Sequence, residues 1–414
     1  MDIIIGAGVT GISYAVFTSN DYLLLEQETE IGGYCRTIKQ DGFVWDYAGH
    51  FFHFRHPELE KLVCQNIDPR TLHRVEKHTQ ILYKDRYIDF PFQKNIHQLE
   101  KEEFIDCLYD LFTTDTQNIS TFKGMIYRNL GKSIAEKFLV PYNQKLYACD
   151  LDLLDADAMG RFFPQVSRED IVKNFRNPQK KSYNQYFTYP TGGAIEYINS
   201  LYSILQRPKL KTSTKVTAID WEKRTICTNT GDTYRYDNLI STMPLPNLLQ
   251  LCQIEYHAQT FTCNKVLTFN LGFDQKGKDR KNSWVYIPDP DVIFYRIGYY
   301  DNIIENDRMS LYVEIGLPQD ADIQSEELYL HRVLSDLRRL GIMHQNQRLI
   351  SYSCVLMDPA YVHINKQGIN ETKRHKAFLA DHHIYSIGRY GSWTYCSIED
   401  NIIEAKQLAE LLNA

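Results

Sequence analysis

Apolar positions change their spacing several times along the chain, and each change marks an expected element. Three consecutive isoleucines, Ile3 to Ile5, open it. An unbroken apolar run of this kind suits a strand buried on both faces. Helical spacing follows to about Ser19, and a second short strand runs from Tyr22 to Leu25 and ends in Glu26. Alternation over Ile81 to Ile88 predicts a hairpin with Lys84, Asp85 and Arg86 at its turn. From Leu99 to about Val172 the spacing is mostly helical and glycine is rare, which predicts a helical insertion. Within it Pro141 predicts a helix break, with Tyr142, Asn143, Lys145 and Tyr147 in the loop beyond. FTYPTGGAIEYINSL (Phe187 to Leu201) reads as strand, glycine turn and helix, and four short strands follow up to Leu245, with Thr230, Gly231 and Asp232 at a turn. The runs KVLTFNLGF, SWVYIPDP, VIFYRIGYY and SLYVEIGL, interrupted by one helix from Ser325 to Arg339, predict a mostly antiparallel sheet with a layer of helix. A strand, a turn from Gly388 to Trp393 and an amphipathic helix from about Ile398 close the chain.

At 414 residues the chain exceeds what one core supports, so two or three domains are expected. A net charge of −6 argues against nucleic acid as a partner. An anionic substrate must then be held by a few placed arginines and not by a general field. Nine cysteines without C-x-x-C pairs read as reduced thiols of a cytoplasmic protein. The first core strand starts at residue 2, so no signal peptide is expected, and no apolar run approaches the roughly 18 residues of a membrane span. A homo-oligomer is compatible with all of this. The 29 tyrosines exceed what packing alone normally calls for.

The chemistry begins at GAGVTG, where Gly6, Gly8 and Gly11 hold the G-x-G-x-x-G spacing between the first strand and its helix. In that context the three glycines serve a tight turn, a close approach by a pyrophosphate and helix–strand packing, with Val9 and Thr10 opening the helix toward the phosphates. Glu26, at the end of the second strand, can accept the hydroxyls of an adenosine ribose and would repel a 2′-phosphate, which disfavours NADP in this pocket. Further on, Gly49, which admits unusual backbone conformations, precedes His50 and His53 in a segment expected to close over a ring. Arg296 falls mid-strand in an apolar run, a costly position unless the guanidinium is paired or lines a wet cleft.

The segment IGGYCRT, with Gly32, Gly33 and Arg36, resembles the extended FAD signature of the flavin amine-oxidase and sugar-mutase superfamily. Further stretches are similar to UDP-galactopyranose mutases, a resemblance that spans nearly the whole chain: GHFFHF around His50, PFQKNI at residues 91–96, the Tyr142 to Tyr147 segment, MGRFFP, IFYRIG, DPAYVH and GRYGSWTY. The resemblance implies an α/β protein, with an FAD-binding Rossmann-like domain (1–80, 187–247 and 381–414), a helical substrate domain (92–186) and a mostly antiparallel sheet domain (81–91 and 248–380). It implies FAD, active when reduced, and the interconversion of pyranose and furanose forms of a UDP-sugar, UDP-galactose first, through an adduct at the flavin N5. The expected reductant is NAD(P)H or another donor.

By the same resemblance, Gly49, His50, Gly388 and Arg389 lie beside the flavin, Val216 meets the adenine, and Ser397 and Ile398 meet the ribityl chain and pyrophosphate. Phe92, Gln93, Asn95, Tyr142 and Asn143 line the substrate pocket. Tyr147 stacks on uracil, Arg161 and Arg296 grip the diphosphate, and Tyr361 and Tyr395 lie near it. Catalysis falls to His50, Arg161, Arg296 and Arg389. Ile303 departs from the family's tyrosine, which leaves Tyr299 or Tyr300 as its replacement. The alternative function is an FAD-dependent oxidase or desaturase of the same superfamily.

Overall fold

The structure is a computed structural model that describes residues 1–113, 120–164, 166–176, 185–205, 209–323 and 325–413. Stretches 114–119 and 177–184 of the expected helical insertion lie outside the described residues.

The isoleucine run forms the strand Asp2–Ile5 at the centre of a five-stranded, all-parallel sheet. It is flanked by Asn238–Ser241 and Tyr22–Leu25, with Ile384–Ser386 and Leu210–Lys211 at the edges. Ile3 and Ile5 pack on one face with Leu239, Leu245 and Leu248, and Ile4 packs on the other with Ile12, Ile240 and Ile402. Both faces are buried, which is why the strand carries no polar alternation. Three of the four short strands form an antiparallel meander, Val216–Asp220, Thr225–Thr228 and Thr233–Arg235, while the fourth, Asn238–Ser241, joins the parallel sheet. The strand Tyr186–Pro190 pairs with Leu72–Glu76 outside that sheet, and the helix after it, Ile195–Tyr202, packs on the first helix, Val9–Phe17.

The second large sheet has seven strands, in the order Leu349–Met357, Asn264–Phe273, Ser310–Pro318, Arg296–Tyr299, Trp284–Tyr286, Thr79–Tyr83 and Arg86–Asp89. All neighbours are antiparallel except Trp284–Tyr286 with Thr79–Tyr83. Arg296 is the first residue of its strand and not a central one. Before it, Tyr295 still bonds both neighbours, its amide to the Glu314 carbonyl and its carbonyl to the Ile287 amide, both at 2.9 Å, while the Ile293 amide bonds the Asp336 carboxylate at 2.9 Å.

In the helical insertion, Lys101–Phe112 and Phe122–Ile134 lead through a π-turn, Ala135–Leu139, into the helix Val140–Tyr147. Pro141 does not break this helix. It stands in the first turn, where an amide has no intrahelical acceptor and a fixed φ suits the helix. Tyr142, Asn143, Lys145 and Tyr147 therefore project from a helix and not from a loop.

The two sheets are joined through Asp46, which is fully buried at the end of the strand Phe43–Asp46. Its carboxylate accepts from Thr37 Oγ1 at 2.6 Å, Tyr189 Oη at 2.8 Å and the Ala194 amide, at the head of the helix Ile195–Tyr202, at 2.9 Å. Its carbonyl accepts from Asn270 Nδ2 of the seven-stranded sheet at 3.0 Å, and its amide donates to Tyr300 Oη at 3.1 Å. Burial outweighs the three donors and pushes the carboxyl up to about 6.

Asp46→Ala should lower stability by about 2–4 kcal/mol, because three donors lose their acceptor inside the protein. The raised value means that ionisation is the cost, fully present above about pH 6 and relieved as protons return. The parent should therefore gain stability relative to Asp46→Asn between pH 7 and pH 5. Urea midpoints of both proteins at the two values check this, and a difference that stays constant or narrows would refute it.

Candidate functional site

Between the parallel sheet, the helical insertion and the seven-stranded sheet lies a cavity of about 2260 Å³. One wall is the glycine turn. Gly6 takes φ +98°, and a Cβ on Gly11 would lie 1.9 Å from the Gly6 carbonyl, so both glycines serve the fold itself. Gly8 differs: the nearest atom to an added Cβ is Gly33 Cα at 3.9 Å, so the space before it stays open on the cavity side. A ligand, and not the protein, needs that opening. Val9, Thr10, Gly32, Gly33, Arg36 and Val216 share this wall, while Gly11 lies behind it.

Glu26 is 5% exposed, and its two oxygens accept the amides of Ala7 at 2.7 Å and Glu28 at 3.0 Å. These bonds fix the carboxylate, and its remaining lone pairs are free for hydroxyls. Arg36, His50 and Arg389 line the same space, and each keeps one buried nitrogen without a partner: Arg36 Nε, His50 Nδ1 and Arg389 Nε. Open backbone at Gly8, a fixed acid and orphaned donors together fit an adenine dinucleotide.

Two expectations on this wall need correction. Gly49 has no left-handed backbone: a Cβ there would lie 2.0 Å from Tyr312 Oη, so close approach, and not φ, demands glycine. Gly388 does not line the cavity but turns behind it, at φ +85°, against Thr10. Ser397 and Ile398 do line it, although the Ser397 amide is already bonded to the Asp400 carboxylate at 2.8 Å, in a capping box at the start of the helix Ile398–Leu412.

Besides Arg36 and Arg55, three further arginines reach the cavity. Arg296 forms a two-bond fork with Glu314, at 2.8 and 2.6 Å, on the adjacent strand, and Glu314 is 1% exposed. The expectation of a paired or cleft-lining guanidinium thus holds on both counts. Arg161 lies on the short turn Gly160–Phe162, 4.7 Å over the Phe162 ring, and donates to Asp400 at 2.5 Å. Arg389 has no carboxylate partner among the described residues. It donates to the carbonyls of Cys396 and Ala360 and lies over Tyr395 and Tyr361, at 4.8 and 5.2 Å.

Burial, with Arg389 beside it, pushes the His50 imidazole down to about 4, so the ring is neutral at ordinary pH. Burial likewise lowers Lys77, which faces Phe90 and Trp284, to about 8. Asn95, Tyr142, Asn143, Tyr361 and Tyr395 line the cavity as expected.

Phe92, Gln93 and Tyr147 do not. Phe92 and Tyr147 are 0% and 1% exposed in the core of the insertion, where Phe92 stacks on Phe138 and Tyr147 lies edge-on to Phe122. Gln93 is fully buried and donates to the Pro164 carbonyl at 2.8 Å. Nor do Tyr299 and Tyr300 replace the tyrosine missing at Ile303: both are buried away from the cavity, and Tyr300 is bonded to Asp46. Tyr286 and Tyr312 stand in the wall instead. Glu314, Asp400 and Lys77 went unnoticed in the sequence. For Glu314 the signal was available, a lone acid in the apolar run SLYVEIGL, as telling as the arginine in its neighbour.

A family model described as flavin-containing amine oxidoreductase matches residues 19–358, and the chain belongs to that family. Its cofactor is FAD. Among solved structures, the fold is similar to that of a reduced UDP-galactopyranose mutase, at 23% identity over 99% of this chain and 93% of that one, with a TM-score of 0.92. A putative protoporphyrinogen oxidase from Exiguobacterium sp. 255-15 follows at 18% identity, 100% and 98% coverage and a TM-score of 0.80. A fatty acid isomerase from P. acnes that produces CLA matches at 13% identity, 100% and 98% coverage and 0.70. These likenesses carry the fold, an FAD-binding α/β architecture with helices and a mixed sheet. No helix among the described residues is long and apolar enough to cross a membrane.

The purified protein should be yellow, and Glu26→Ala should weaken FAD by about 1–3 kcal/mol, because ribose contacts and two amide acceptors go together. Flavin absorbance after dialysis measures this. Full retention of FAD by the variant would overturn the assignment of Glu26.

Proposed function

We propose that the protein is a flavin-dependent UDP-sugar mutase that interconverts the pyranose and furanose forms of a UDP-hexose, UDP-galactose first. The observation that carries this reading is the convergence of Arg161, Arg296 and Arg389 on the cavity that also contains the dinucleotide wall. A diphosphate leaving group needs several placed cations in a protein with no general positive field. The likeness in fold to reduced UDP-galactopyranose mutase supports the same conclusion.

In this reading reduced FAD, once bound, supplies the nucleophile at the anomeric carbon, and its redox state is required but not consumed. The residues of the chain handle charge and position. Arg161 and Arg296 hold the two phosphates, and their guanidiniums stabilise the charge that grows as the anomeric C–O bond to UDP breaks. Glu314 keeps Arg296 aimed into the cavity through its two-bond fork. Arg389, free of any carboxylate among the described residues, contributes uncompensated positive charge on the flavin side. His50 stays neutral, so its unpartnered Nδ1 orients a neighbouring group by hydrogen bonding and does not act as a charge. Tyr286, Tyr361 and Tyr395 narrow the cavity and exclude water from the reacting carbon. Because Tyr147 lies in the core, the uracil has to find its ring contact elsewhere, and Phe162, beside Arg161, offers the nearest aromatic face in the wall.

An FAD oxidase or desaturase of the same family is the second reading, favoured by the aromatic wall and by the fold likeness to the putative protoporphyrinogen oxidase. Such a substrate gives no use to three converging guanidiniums.

Arg161→Ala should weaken UDP binding by roughly 2–4 kcal/mol. Arg296→Ala should do the same and also destabilise the fold by leaving Glu314 buried and unpaired. Calorimetric titration decides, and parent-like UDP affinity in both would end the assignment.

Activity should appear only after reduction with dithionite or NAD(P)H, with oxidised protein binding the UDP-sugar unchanged. Chromatography of the sugar products is the measurement. Steady oxygen consumption with an amine or polyene and no ring interconversion would install the oxidase reading.

Since His50 is neutral above about pH 4, the binding of UDP-galactose should show no imidazole limb between about pH 5 and 8. A step near 6.5 that disappears in His50→Gln would contradict this.

A further inference from the structure

Arg161 is a paired residue in this structure, and its partner is unusual for a phosphate-binding arginine. Asp400 sits in the first turn of the helix Ile398–Leu412 and receives Arg161 at 2.5 Å. The same carboxylate accepts Arg55 Nη2 at 2.9 Å, and the amide and hydroxyl of Ser397, both at 2.8 Å. Glu399, almost wholly buried beside it, accepts Arg55 Nε at 2.9 Å. Two arginines and two acids thus form one neutral cluster, in which Arg55, Arg161 and Glu399 line the cavity and Asp400 itself does not.

The cluster is unevenly built. If Arg161 leaves, Asp400 retains Arg55 and both Ser397 donors, so no buried charge is orphaned. Arg161, in turn, has a side chain 38% exposed on a short turn with Gly160, where an added Cβ would meet nothing within 4 Å. Behind that turn lies a second cavity of about 530 Å³ that shares Asp157, Met159, Gly160 and Phe163 with the first. Space on both sides and an exit without penalty mark the Arg161–Asp400 contact as one made to be broken.

We infer that Asp400 is a positioning residue that occupies Arg161 while the site is empty and is displaced by the phosphate groups of the substrate. The inference rests on the reading of Arg161 as a diphosphate ligand. Asp400 thereby sets affinity: every binding event must first part the pair. At this exposure an ion pair is weak, so the competition amounts to a small factor and not a block.

The test is UDP titration of the FAD-loaded protein in four forms: parent, Asp400→Asn, Arg161→Ala and the double variant. Flavin absorbance verifies the cofactor content of each. Asp400→Asn should tighten UDP by about 2- to 5-fold, the range expected for removing an exposed pair. Arg161→Ala should weaken UDP by roughly 30-fold or more, and the double variant should match Arg161→Ala alone. Asp400→Ser, which also removes the charge while keeping a short polar cap, must give the same tightening and serves if the asparagine form folds poorly. Tightening of equal size with and without Arg161 would overturn the inference in favour of a general field effect. Unchanged or weaker UDP binding in both Asp400 variants would overturn it too. If Arg161→Ala itself leaves UDP unaffected, the diphosphate reading falls first and the role of Asp400 with it.

Discussion

The cavity exists because two sheets are held apart and yet fixed to one another, and one buried residue, Asp46, bonds toward both. Asp46 gathers a hydroxyl from Thr37, a phenol from Tyr189 and an amide at the head of a helix on the parallel sheet, while its backbone binds Asn270 on the other sheet and Tyr300 just beyond one of its strands. Burial makes ionisation of this group unfavourable, and three donors compensate part of that cost. Hydrogen bonds to a buried acid are directional and steeply dependent on distance, unlike apolar contacts. An apolar residue in its place would keep the two backbone bonds but leave Thr37, Tyr189 and the Ala194 amide without their acceptor, so the strand would lose its fixed place against the helix head. The wall residues, drawn from both sheets, need that placement to within fractions of an ångström if they are to hold one ligand together.

Charge in the cavity follows from the same low dielectric. A guanidinium that is buried and unpaired is expensive, and the chain answers the difficulty in three different ways. Arg296 is matched by Glu314 in a rigid fork between neighbouring strands, which fixes its direction. Arg161 is matched loosely, at the surface of the cavity, by an acid that has other partners. Arg389 has carbonyls and tyrosine faces and no carboxylate partner among the described residues, so its charge is left unanswered. A dianionic ligand would meet one cation that cannot move, one that can, and one that is uncompensated. That gradation is invisible if the arginines are merely counted.

Much of this was legible in the sequence, and what was legible shares one property: it is local. The isoleucine run, the G-x-G-x-x-G spacing and the terminal acid Glu26 describe a strand, a turn and a pocket built from residues within 26 positions, and the structure places them together. Arg296 could be read as paired because an apolar run around it leaves few other options. The errors occurred where tertiary context decides. Pro141 looks like a breaker unless the preceding π-turn has already placed it at a helix start, where its missing amide is harmless. Tyr147 shares a helix with Tyr142, but their directions on that helix differ, so one meets the cavity and the other the core. The need for glycine at position 49 comes from Tyr312, more than 260 residues away, which no local rule encodes.

The fold itself does not choose between a mutase and an oxidase, because one architecture accommodates proteins named for different chemistries at identities as low as 13%. The choice lies in what the wall presents to the second ligand. Aromatic rings accept an apolar substrate and the face of a sugar or a base alike, so the tyrosines do not discriminate. The guanidiniums do, since an uncharged substrate would leave Arg389 without compensation. The identity of the sugar is a finer matter. Ile303 removes a hydroxyl from the position expected for one, and Tyr299 and Tyr300 are committed to the interior. Tyr286 and Tyr312, on strands of the seven-stranded sheet, join Tyr142, Tyr361 and Tyr395 in the wall, and Tyr312 Oη is a buried group without a partner. A buried hydroxyl of that kind rejects a ligand that cannot pair with it more strongly than it rewards one that can, so selection among sugars at this site should depend on which hydroxyl reaches Tyr312 and not on ring size.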